Sequence, residues 1–174
     1  MDTIECINSK RSIRAYEETQ IPYETVMELL TLGTKASTGS NHQPWGFVVI
    51  QDAQEIEDLS KNIKAYLLEN LEKYPYLSQY EAWLQSEKYS VFNNASTLIV
   101  VYGNTDSHWY IYDCTLAAGN IMLAAYSKGI GTCWIGFAEY YFNTPEFKKK
   151  YKIPENYELV APLSCGYIKG TVKP

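Results

Sequence analysis

Arg11-Ser12-Ile13-Arg14 is the segment of this chain best supplied for binding chemistry. In a turn or an extended stretch, residues at i, i+1 and i+3 can converge two guanidinium groups and a hydroxyl on one phosphate. Each guanidinium can engage it through paired N–H donors. The alternative for the same residues is a solvated basic loop. A second segment, Ser37-Thr38-Gly39-Ser40-Asn41, offers backbone N–H groups and short side chains that could line a planar polar ring. It reads equally as a plain helix end and turn. In a third, Gly129 to Gly136, glycines let the backbone approach a ligand closely, or simply stop a helix ahead of a strand.

Other chemistries find little support. The two histidines, His42 and His108, sit in no HExxH, G-x-S-x-G or Cys/His setting. There is no GxxxxGK[ST] phosphate loop. Gly129-Ile130-Gly131 lacks the third glycine of a dinucleotide fingerprint and follows a helical pattern where a strand is required. Glu17-Glu18 and Glu57-Asp58 lie in polar surroundings and read as solvated faces. Cys6, Cys114, Cys133 and Cys165 are too scattered for a metal knuckle or a redox pair. With a polar start at Met1-Asp2-Thr3 and no signal peptide, they read as free thiols of a cytoplasmic protein.

The elements that must position these segments follow from composition and period. A chain of 174 residues, 46% hydrophobic and 20% charged, forms one domain over 1–174 with a core of its own. A net charge of −5 argues against nucleic acid, which needs a clustered basic excess. The longest uncharged run, Cys114 to Ser127, is 14 residues, short of the roughly 17–25 a membrane span needs. Helices are expected over residues 3–9, from Pro22 in its first turn with Val26, Leu29, Leu30 and Gly33 inward, from Asp52 to Asn70, from Asp113 to Ser127, and from Pro145. Strands are expected at Phe47–Ile50, buried on both faces, at Thr97–Tyr102, at Thr132–Gly136, and at Leu159–Ile168. In the last, Pro162 suggests an edge or a bulge.

Sixteen tyrosines and four tryptophans stand out. Tyr76, Tyr80 and Trp83 share one face of an expected helix within the aromatic segment Tyr66–Phe92, either as core or as the lid of an acceptor pocket. The Cys114–Ser127 helix is apolar all round, which places it in the middle of a core or at a large subunit interface. Its small residues Ala117, Ala118, Gly119, Ala124 and Ala125 would permit a symmetry-related helix to approach. Helices outnumber strands without regular βαβ alternation, so the class is α+β, one sheet covered by helices.

Taken together the three segments resemble a known family. Arg11-Ser12-Ile13-Arg14 followed by Ile21-Pro22 is similar to the opening of the nitroreductase family, the FMN-dependent NAD(P)H oxidoreductases. Ala36 to Trp45 resembles its A-P-S-G-x-N-x-Q-P-W signature. Asn120 to Ala125 and Gly129-Ile130-Gly131-Thr132-Cys133-Trp134-Ile135-Gly136 resemble its central helix and G-[LI]-G-[ST]-x-W-[IL]-G strand. Gly166-Tyr167 before a basic tail resembles its closing strand.

The resemblance implies a nitroreductase-like fold with a central, mostly antiparallel sheet flanked by helices. It also implies an intertwined homodimer that holds FMN in two sites at the subunit interface. Arg11, Ser12 and Arg14 would hold the ribityl phosphate, with Lys169 or Lys173 adding charge. Ser37, Thr38, Gly39 and Asn41 would border the ring from the other chain, and Ile135 and Gly136 would place backbone N–H groups at the flavin N5/O4 edge. Lys88 and Asn93 are the candidates for the pyrimidine edge. The family's Pro and first Ser are Ser37 and Thr38 here, which keeps hydroxyls but changes the loop's stiffness. The implied chemistry is hydride transfer from NADH or NADPH through flavin N5 to a nitroaromatic, quinone or flavin acceptor by a ping-pong mechanism, with no side-chain acid required. The alternatives are reductive dehalogenation or flavin fragmentation on the same scaffold, or flavin storage.

Overall fold

Asp2 accepts the Glu5 N–H at 2.9 Å and so caps α1 (Thr3–Ser9). The computed structural model describes residues 1–171, and Lys173 lies outside them. A strap of chain leads to α2 (Tyr23–Gly33), which buries Val26, Leu29, Leu30 and Gly33 on one stripe, as their spacing requires. A loop then enters β1 (Trp45–Ile50), and Asp52 caps α3 (Ala53–Glu69) through the Glu55 N–H at 2.8 Å. The remaining elements are α4 (Glu81–Gln85), β2 (Thr97–Asn104), α5 (Tyr110–Ser127), β3 (Ile130–Trp134), α6 (Glu139–Phe142), α7 (Pro145–Lys150) and β4 (Tyr157–Tyr167).

Among the described residues the strands form one antiparallel sheet in the order β1-β2-β4-β3. Alternation along β2 builds two cores. Leu98, Val100 and Tyr102 face Ile56, Leu59 and Ile63 of α3 together with Phe142 of α6 and Phe147 of α7. Ile99 and Val101 face Val26 and Leu29 of α2 and Cys114, Ala118 and Ile121 of α5. This is the α+β arrangement expected. Among the described residues no helix is long and apolar enough to cross a membrane.

Several expectations are corrected. Pro22 is the N-cap of α2 and stands outside its first turn. β1 is an edge strand, half-buried over most of its length because it has a neighbour on one side only. Pro162 is not at an edge: β4 is central. The Pro162 carbonyl accepts the Ile135 N–H at 2.8 Å on the side of β3. A strand residue directs its N and C=O to the same side, so the missing donor faces a point where β3 has already ended at Trp134. The irregularity lies at Val160 instead, where the pairing steps from Val101↔Ala161 to Tyr102↔Leu159. α5 begins at Tyr110, three residues before Asp113, whose carboxylate is buried in the helix's first turn. β3 starts at Ile130 and stops before Ile135 and Gly136, which lead into a short turn.

The strap after α1 matters most for the site. Residues 12–17 lie along β3 and the end of β4: the Ile13 N–H donates to Thr132 O, and the Glu17 N–H to Tyr167 O, both at 2.9 Å. Gly131 makes room for Ile13, since a Cβ on Gly131 would lie 2.6 Å from that of Ile13. The buried Tyr16 hydroxyl locks the turn by donating to Ile13 O at 2.6 Å and pairing with Ser164 Oγ at 3.0 Å.

Candidate functional site

With the strap pinned to β3, Arg14 faces a cavity of about 790 Å³. Its base is the end of β3 and the turn after it, Cys133 to Phe137, and its opposite wall carries Tyr76, Tyr80, Trp83, Tyr89 and Asn93. The volume is in the range of ordinary small-molecule sites. A Cβ on Gly136 would touch nothing within 4 Å, so the backbone at Gly136 borders open space, whereas the Ile135 N–H expected beside it at the flavin edge donates to Pro162 O. Arg14 makes no ion pair among the described residues, and its charge acts on the facing Cys133 and Tyr89. Burial pushes the Cys133 thiol and the Tyr89 phenol up, and Arg14 pulls both back.

Arg11 is placed differently. Its Nη1 donates to the carbonyls of Asn8 and Lys10 at 2.8 and 2.9 Å, at the C-terminal end of α1. Ser12 is exposed and bridges Thr132. Lys169 is exposed and reaches the same corner through its backbone, donating N–H to Ala15 O at 3.1 Å. Ser12, Arg14, Ile135, Gly136 and Lys169 therefore share one edge of the molecule. Asn93 lines the cavity in a left-handed conformation (φ 55°), whereas Lys88 lines a separate depression of about 300 Å³.

Ser37, Thr38, Gly39 and Asn41 are not brought there. Their loop sits beside the N-terminal end of α5 and feeds β1, at the opposite edge of the sheet from β3. The Gly39 N–H points between the two oxygens of Asp113, at 3.1 and 3.2 Å, and a Cβ on Gly39 would lie 2.5 Å from the Trp109 ring. Ser40, Asn41 and Gln43 all take positive φ (50°, 56° and 48°), so this turn is held against its local preference. His42 and His108 are exposed.

Some participants were not visible in the sequence. Lys10 adds its charge to that of Arg14 at Cys133. Thr132 Oγ1, beside Ser12, is buried with no hydrogen-bond partner. Asp113 anchors the 37–41 loop. Its one signal was an acid standing at the head of an uncharged helix.

The cavity suits a planar ligand with an anionic tail: an arginine with no ion pair among the described residues, an open backbone edge at Gly136 and a wall of rings. Comparison with known proteins follows the same line. The family model described as "Nitroreductase family" matches residues 7–167. A protein of Archaeoglobus fulgidus, provisionally named NADH dehydrogenase/NAD(P)H nitroreductase, is 29% identical over 97% of this chain and 86% of its own length. An iodotyrosine deiodinase of Thermotoga neapolitana is 24% identical over 91% of this chain and 84% of its own length. The crystal structure of a nitroreductase from Bacteroides fragilis with FMN bound superposes with a TM-score of 0.87 at 28% identity, covering 100% of this chain and 93% of that one. A match that runs from α1 to the last strand, over a fold this close, leaves one assignment: the chain belongs to the nitroreductase family.

Proposed function

We propose that the cavity beside Arg14 holds FMN and that the chain is an FMN-dependent NAD(P)H oxidoreductase acting on nitroaromatic, quinone or flavin acceptors. The observation that carries this is the coincidence, in one cavity of about 790 Å³, of Arg14, the open backbone at Gly136 and a wall of aromatic rings. FMN, when bound, supplies the hydride relay between a nicotinamide and an acceptor. The protein's own tasks are to bind, orient and shield. Arg14, Lys10 and Ser12 offer the charge and hydroxyl that a phosphate needs, and Arg11 and Lys169 stand at the same corner. The Gly136 N–H, free of a side chain, is placed to stabilise charge at the ring edge. Tyr76, Tyr80, Trp83 and Tyr89 exclude water from the open face and offer it a flat partner. Nicotinamide and acceptor take turns on that face, which calls for ping-pong kinetics.

The site is completed by a second copy of the chain. Trp109, at the N-cap of α5, with Tyr112 and Leu116 on the helix itself form an exposed apolar stripe at one-turn spacing, 49–65% accessible in the isolated chain. The 37–41 loop is packed on Trp109 at the head of that stripe. Docking the stripe on a partner would carry Ser37, Thr38, Gly39 and Asn41 toward the partner's Arg14 corner. Four buried, free cysteines fit the reducing cytoplasm.

The test is direct. Purified protein is expected to be yellow, to bleach with NADH or NADPH in the absence of oxygen, and to recover on adding an acceptor, with parallel double-reciprocal plots. Arg14→Ala is expected to weaken FMN binding by about ten- to a hundredfold, the loss of a charge-assisted contact of roughly 1.5–3 kcal/mol. Arg11→Ala reports separately whether Arg11 leaves the α1 carbonyls for the phosphate. A colourless protein that takes up no FMN overturns the reading.

A further inference from the structure

The two walls of the cavity differ in how firmly they are held. α6, which follows the Ile135–Phe137 turn, is tied to the sheet: Tyr102 Oη donates to Phe142 O at 2.7 Å, and the adjoining Asn143 Oδ1 accepts the Leu159 N–H at 2.9 Å. Phe142 also stacks on Phe147 at 4.2 Å between ring centroids. The facing wall is a single 3₁₀ segment, Pro75–Tyr80, running into the five-residue α4. Neither has a side-chain cap, and only Leu77 and Leu84 are buried from them. Helical pieces this short are marginal without tertiary support.

The loose wall meets the firm one at two points: Tyr80 lies edge to face on Phe137 with centroids 5.3 Å apart, and Tyr140 makes the second link. Tyr140 of α6 stacks on Tyr74 with centroids 3.7 Å apart and planes 13° from parallel. Its hydroxyl lies 3.2 Å from that of Tyr76, a residue of the cavity wall. Tyr140 itself stands behind the lining, so it sets the position of Tyr76 without occupying the cavity.

We propose that Tyr140 is a specificity-determining positioning residue, whose stack on Tyr74 and hydroxyl pair with Tyr76 fix the width of the acceptor end and so limit the size of the aromatic acceptor admitted. This rests on reading the cavity as the acceptor's place. Releasing the clamp lets the 75–80 segment swing out, which favours a fused-ring acceptor over a single ring.

The experiment compares the parent with Tyr140→Ala and Tyr140→Phe in the flavin-loaded enzyme. Two readouts are taken: kcat/KM for menadione divided by that for para-benzoquinone, and hydrogen exchange of the backbone amides of residues 75–80. Tyr140→Ala is expected to raise the ratio and to accelerate exchange, each by about three- to tenfold, the weight of one lost aromatic pair. Tyr140→Phe keeps the stack and is expected to fall between. Unchanged exchange overturns the clamp, and accelerated exchange with an unchanged ratio overturns its role in specificity. Should Tyr140→Ala fail to fold, Tyr76→Phe removes only the hydroxyl pair, and exchange equal to the parent's overturns the clamp. If the parent takes up no FMN, the function proposed above fails while exchange still decides the clamp.

Discussion

Arg14 reaches its cavity because Gly131 and Gly166 have no side chains. Cβ atoms there would lie 2.6 Å from Ile13 and 2.8 Å from Tyr16, the residues that flank Arg14 on the strap. Ile13 is branched at the very atom in conflict, so it cannot yield by rotating its far end. Gly131→Ala is therefore expected to cost about 1–3 kcal/mol, the usual penalty of overpacking. It should also weaken FMN binding, because the strap and its guanidinium shift together. Thermal melting and a flavin titration measure the two effects, and a loss of stability with unchanged affinity would show that the strap does not position Arg14. The motif offered Arg11, Ser12 and Arg14 together and gave no part to Lys10, Thr132 or Asp113. Their parts depend on what lies across from them: Cys133, Ser12 and the Gly39 N–H.

Cys114 of α5 and Cys165 of β4 are fully buried, and their thiols record it. Burial pushes both Cys114 and Cys165 from 9.0 up to about 12. An unfolded thiol ionises near 9 and the buried one does not. The stabilisation is therefore whole below about pH 9 and is lost as pH rises toward about 12. The urea midpoint is expected to fall between about pH 8 and 11, with a shallower dependence in the Cys114→Ala/Cys165→Ala double variant. Equal slopes would assign the alkaline loss to the buried tyrosines. α2 and α3 were legible because each carries a helical period and a start signal, and β2 because Thr97–Tyr102 holds an unbroken apolar run. Tyr76, Tyr80 and Trp83, expected on one face of a single helix, lie on a 3₁₀ segment followed by α4, and all three line the same cavity wall. The chain buries Leu77 and Leu84 instead and leaves Tyr76 and Trp83 52% and 56% exposed on the cavity wall. Aromatic rings at helical spacing do not say whether they face a core or a ligand.

For the molecule as a whole, the apolar stripe on α5 and the separation of the 37–41 loop from the Arg14 corner make one argument. A lone chain leaves Leu116 52% exposed and has the two halves of the expected site at opposite edges of its sheet. Leu116→Glu places a charge on the stripe. It is expected to turn a species of twice 19.9 kDa into one of 19.9 kDa and to release the flavin with it. Light scattering with absorbance detection follows both. A variant that stays paired and yellow would move the interface elsewhere.

The sequence alone determined the α+β class and most element positions, and it offered the short motifs on which the proposed site rests: the guanidinium of Arg14 and the backbone of Gly136. Those properties are local, and patterns of three to ten residues carry them. Tertiary structure alone decided that β4 is central despite Pro162, that Arg11 turns onto the α1 carbonyls, and that Tyr140 braces the wall opposite its own helix. Each of these depends on which distant backbone or ring lies across from the residue. Only the closure of the sheet, with the strap folded along its edge, sets those pairings.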